Sequence, residues 1–99
     1  MVADQAGSMS EAPDPWTEFA RELGVRLLRA RADKALSQEQ VAHAAGLATF
    51  TYRKLEKGES NPGTAANPRL RTLVLLAEVL EIPLRDLVPT PPEGIAPGR

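Results

Sequence analysis

Gly46 constrains this chain more than any other residue, because two short amphipathic runs meet there. Between Leu36 and Gly58 the sequence reads LSQEQVAHAAGLATFTYRKLEKG. Ser37 is a good helix N-cap, Glu39 and Gln40 fill the next turn, and Val41, Ala42 and Ala45 recur at i, i+1 and i+4. The spacing therefore predicts a short helix from about Gln38 to Ala44. Gly46 then falls at a tight corner that needs a positive φ, which only glycine adopts without steric cost. A second short helix is predicted from about Thr49 to Lys57, closed by Gly58, with Tyr52 and Leu55 inward and Leu47 bracing its entry. Small Ala42 lets the two helices cross closely. Thr49, Phe50, Arg53 and Lys54 fall on the opposite face, where no core needs them.

The flanking segments are also helical. Asp14 followed by Pro15 is a cap and first-turn pair, and Phe19, Leu23, Leu27 and Ala30 recur at helical spacing, so a helix is predicted from about Pro15 to Ala32. Glu59 to Asn67 is rich in Asn, Pro, Gly and Ala and reads as an exposed loop. Asn67 and Pro68 repeat the cap device and open a helix to about Glu81, Pro83 breaks it, and Leu84 and Leu87 mark one further turn. The whole is an all-α, five-helix bundle over residues 15–88. An acidic arm over 1–14 and a Pro/Gly-rich tail over 89–99 are expected to be flexible.

Length and composition fit one small domain: of 99 residues, 42% are apolar, enough for a single helical core. There is no cysteine, hence neither a disulfide framework nor a thiolate metal site, which suits the reducing cytoplasm. The N-terminus lacks the basic start and apolar core of a leader, and the longest apolar run, Leu73 to Ala77, is too short to cross a bilayer. A cytoplasmic location is therefore expected. His43 is the only histidine and has no ligating company, and no glycine-rich phosphate loop is present. The chain reads as a non-enzyme with no catalytic residue, cofactor or metal.

Net charge is -1, but it is unevenly spread. Residues 1–19 sum to -4, residues 20–58 to +4 and residues 59–99 to -1. Positive charge is concentrated where the two short helices are, which fits a limited number of phosphate contacts. Arg21, Arg26 and Arg29 read individually as the solvated face of the first helix.

At Leu36, Ser37, Gln38, Ala42, Gly46, Leu55, Glu56 and Gly58 the chain resembles the Cro-like phage-repressor (XRE) helix-turn-helix family, in register from about Gly24 to Leu87. The resemblance implies a repressor-like bundle whose second motif helix lies in the major groove of double-stranded DNA. It matches Thr49, Phe50 and Lys54 to base-reading positions and Gln38 to a phosphate or base anchor; Arg53 is a nearby base-reading candidate, and Ser37 and Lys57 are further candidate backbone contacts. Thr49 suits several base edges, Lys54 suits guanine O6 or N7, and Phe50 suits a thymine methyl. The resemblance also implies a structural ion pair between Arg31 and Glu56.

Some positions depart from the family pattern. Ala48 stands where Ser or Thr usually caps the reading helix, so Thr49 is expected to take over as cap. Bulky Tyr52 replaces the usual Ile or Val, and residues 62–67 read as an insertion. In the fourth helix, Leu70, Leu73, Ala77 and Leu80 form the expected core stripe. Leu75, Leu76 and Val79 lie on other faces and are candidates for a homodimer interface. The function expected is a DNA-binding transcriptional regulator, most simply a dimeric repressor on a palindromic operator with half-sites about one helical turn (~34 Å) apart. The alternative is a protein-interaction module on the same fold, such as the antitoxin partner of a toxin.

Overall fold

Local capping decides where the first helices begin. The Asp14 carboxylate accepts from the Thr17 backbone N–H at 2.7 Å and Pro15 fills the first helical position, which opens α1, Pro15–Asp33. Ser37 opens α2, Gln38–Ala45, through a reciprocal capping box: the Gln40 N–H donates to Ser37 Oγ at 3.0 Å, and the Ser37 N–H donates to Gln40 Oε1 at 2.8 Å. Gly46 ends α2 in the left-handed conformation, φ 75, as the corner requires. α3 follows as Thr49–Glu56, then a hairpin of β1, Glu59–Asn61, and β2, Thr64–Ala65, then α4, Leu70–Leu80, and α5, Leu84–Leu87. The computed structural model describes residues 14–97, so the arm expected over 1–14 lies outside them apart from Asp14.

The core is apolar among the described residues apart from the buried Tyr52 hydroxyl. Leu27, Val41, Ala42, Tyr52, Leu76, Leu80 and Leu87 are buried at its centre, drawn from all five helices. α1 lies across α3, and α2 packs on both α3 and α4. Arg26, expected on a solvated face, instead donates from Nη1 to the carbonyls of Asp86 and Val88 at 3.0 and 3.4 Å, which fastens the end of α5 to α1.

The chain departs from the sequence reading in four places. The loop over 59–67 contains the hairpin, paired Glu59 to Ala65 and Asn61 to Thr64 around a Pro62-Gly63 turn. Proline at the first corner position and glycine at φ 80 at the second give the turn its geometry. Helix α3 is capped by Ala48 with no side-chain hydrogen bond; Thr49 is its first helical residue and not its cap.

Helix α4 starts later than Asn67-Pro68 suggests. Ala66 is buried and its carbonyl accepts from Trp16 Nε1 at 3.0 Å, and the extended Arg69 caps the helix. Leu70 is now the first residue of the helix and is 69% exposed, whereas Leu76 is fully buried. Leu76 is therefore a core residue and not an interface residue, while Leu75 and Val79 pack half-buried at the core's edge.

Finally, packing does not stop at 88. Pro89 is buried, and Thr90 and Pro92 border a groove with Phe19 of α1, while most residues from 90 to 97 are exposed.

Candidate nucleic-acid interface

Two faces of α3 do opposite jobs. Tyr52 and Leu55 point inward and are buried. Phe50, Arg53, Lys54 and Lys57 recur at i, i+3, i+4 and i+7, so they share the outward stripe. Phe50 is 65% exposed, a costly exposure for a ring that supports no packing. Lys54 Nζ lies 4.1 Å from the centroid of that ring and 3.4 Å from Asn61 Oδ1 on the hairpin. Thr49 sits half-buried at the flank of the stripe.

Behind the stripe, Glu56 is the anchor. Its side chain is 4% exposed and that of Arg31 is 19% exposed. Arg31 donates to it twice, from Nε at 2.6 Å to Oε2 and from Nη2 at 3.0 Å to Oε1, in the bidentate geometry that only a guanidinium supplies. A third donor of Arg31, Nη1, reaches the Leu36 carbonyl at 3.0 Å. One guanidinium thus ties α1, the end of α3 and the lead into α2.

Burial alone would raise the Glu56 pKa. The Arg31 guanidinium, with smaller help from the neighbouring Tyr52 hydroxyl and the Gln38 amide, outweighs it and holds the carboxyl below its ordinary value. The Tyr52 phenol is pushed well above its usual range, first by burial and then by Glu56. Its hydroxyl is buried without a well-formed hydrogen bond.

Gln38 belongs to this network. Its Nε2 donates to Glu56 Oε1 at 2.8 Å, and its Oε1 accepts from Arg53 Nε at 3.1 Å. Both ends of the amide are occupied, so Gln38 relays order from Glu56 to Arg53. Ser37 Oγ is likewise engaged as the α2 cap, and Lys57 is exposed beside Arg21 and the hairpin. Arg53 also lies 4.0 Å from Glu39, an exposed pair that contributes little.

A helix-turn-helix family model matches residues 27–87, more than half of the chain and all of the elements that build this surface. The chain belongs to the Cro-like (XRE) helix-turn-helix family. This family member is a DNA-binding transcriptional regulator, and its fold is similar to that of the restriction-modification controller protein C.AhdI from Aeromonas hydrophila. That match has 32% sequence identity and a TM-score of 0.60, and covers 69% of this chain and 94% of the controller. A comparison with curated proteins finds no match.

The helix-turn-helix surface therefore brings Phe50, Arg53, Lys54 and Lys57 together and leaves Thr49 at their edge. Asn61 joins them, and no sequence signal marks it, because its position depends on a hairpin of weak strand formers. Among the described residues, no helix is long and apolar enough to cross a membrane, and no group of three or more metal-ligating side chains is present.

Proposed function

We propose that this protein binds a palindromic operator as a homodimer, laying α3 of each copy in a major groove, and represses transcription by occupying the site. The observation that carries the reading is the outward stripe of α3. Three cations and an exposed aromatic ring have no packing role there, while the Arg31–Glu56–Gln38 network holds the helix rigid from behind. Rigid presentation lowers the ordering cost of docking. The similarity to a controller protein supports regulation as the outcome of binding.

Lys54→Ala should weaken binding to a duplex selected from random sequence by roughly 1 to 3 kcal/mol per half-site, the worth of a guanine contact. It should also reduce the salt slope by about 0.9 per subunit if the same ammonium neutralises a phosphate. Titrations by fluorescence anisotropy at several salt concentrations measure both. Unchanged affinity and slope would remove Lys54 from the interface.

For the dimer, the exposed face of α4 supports a second copy as its partner. Arg71, Val74, Leu75 and Glu78 lie at i, i+3, i+4 and i+7, and Val74 is 40% exposed. About a two-fold axis crossing two antiparallel α4 helices between Val74 and Leu75, Arg71 of each copy faces Glu78 of the other. That arrangement is self-complementary, as an isologous interface must be. Light scattering across a dilution series should give twice the chain mass for the parent and a single mass for Val74→Asp, with the helical content of both unchanged. A parent that is monomeric at tens of micromolar sinks the dimer.

A further inference from the structure

We propose that Phe50 and Lys54 act as one unit that reads a C5-methylated pyrimidine followed by guanine, so that binding responds to the methyl group itself, whether it belongs to thymine or to 5-methylcytosine. This rests on α3 lying in the major groove.

The geometry is specific to these two residues. Phe50 is the second residue of α3, at the end of a reading helix that approaches base edges, and Lys54 stands one turn further along the same face. The ammonium is already stacked 4.1 Å from the ring centroid. Base pairs stack about 3.4 Å apart, so two groups stacked in this way address neighbouring pairs. Asn61 Oδ1, at 3.4 Å, occupies one of the three ammonium protons and leaves the others to donate. Arg53, on the other flank of the stripe, is turned back towards Gln38 and Glu39.

The chemistry of the two groups decides what each accepts. An apolar ring offers nothing to a hydrogen-bonding base edge, but it gains from covering a methyl group. In the major groove only thymine and 5-methylcytosine present one. A cation held over the ring needs an acceptor pair, and guanine O6 and N7 supply it. Expulsion of water on docking strengthens the cation–ring attraction, so the ring fixes an otherwise flexible lysine while it covers the methyl. A methylated CpG step then presents the same methyl and the same guanine acceptors as a TpG step, and an unmethylated CpG step lacks the methyl.

The test uses the full chain and the duplex it selects from random DNA. Replacing each thymine in turn by deoxyuridine deletes one methyl. One thymine per half-site, immediately 5′ of a guanine, should lose about fourfold in affinity, the equivalent of one buried methyl. At that position 5-methylcytosine should bind about fourfold better than cytosine. Phe50→Ala should abolish both differences without changing the melting temperature, since the ring is exposed. Lys54→Ala should lose the preference for the adjacent guanine. Equal binding with deoxyuridine at every position, or methyl sensitivity that persists in Phe50→Ala, overturns the proposal while leaving groove binding intact. Failure to enrich any duplex overturns both.

Discussion

Glu56→Ala should cost about 3 kcal/mol of folding stability, the lower end of the range for breaking a buried charge pair. For a domain of this size, that corresponds to a fall in melting temperature of roughly 12 to 24 °C. The loss exceeds that of one surface ion pair because Arg31 would remain largely buried with two of its donors unpaired, and Gln38 would lose the acceptor that orders it. DNA affinity should fall as well, since α3 would lose its tie to α1. A pH dependence follows from the same group. Its folded pKa lies below its ordinary value of 4.5, so folding favours the ionised form. The stabilisation is complete above that ordinary value and is lost as pH falls through the lower, folded one. Urea unfolding between pH 6 and pH 3 should show this loss in the parent and a flatter profile in Glu56→Gln. A Glu56→Ala protein that melts like the parent would contradict the role of the network.

Gly24→Ala is the other large effect, and its sign runs against helix propensity. In an open helix the change would stabilise by about 1 kcal/mol. Here α1 crosses the end of α3 at Gly24, and an added Cβ would collide with the Glu56 carbonyl and come within 2.8 Å of the Leu55 carbonyl oxygen. Both obstacles are backbone, so neither can rotate away, and the two helices must separate. The expected cost is about 3 kcal/mol, the upper part of the range for overpacking, with Phe50 and Lys54 displaced relative to α2. Thermal melting and DNA titration of the one variant check both. A stabilised protein would show that α1 and α3 are further apart than described.

What could be read from the chain follows from how local each determinant is. α1, α2 and α3 are set by nearby signals: Asp14-Pro15, the Ser37–Gln40 box, Gly46, and clear inward stripes. The Arg31–Glu56 pair is implied by the family resemblance, and in the structure the two groups lie 2.6 Å apart. α4 was harder, because a helix apolar nearly all round does not declare its buried face. Leu76 is buried where Leu70 was the expected core residue, and Leu70 lies exposed at the helix start. The hairpin leaves little signal in the sequence because Ser, Asn and Thr carry little strand preference over so few residues. The commitment of Gln38 and the contact of Asn61 with Lys54 depend on tertiary placement and leave no trace in spacing. The burial of Pro89 is of the same kind, since proline content alone does not say which proline meets the core.

Dimethyl sulfate probing of guanine N7 in a selected duplex shows whether the outward stripe of α3 reads the major groove in two symmetric half-sites. Two patches of protected guanines about one helical turn (~10 base pairs) apart are expected, both lost in a folded Lys54→Ala protein. Full-affinity binding that leaves every guanine N7 as reactive as in free DNA would contradict that reading.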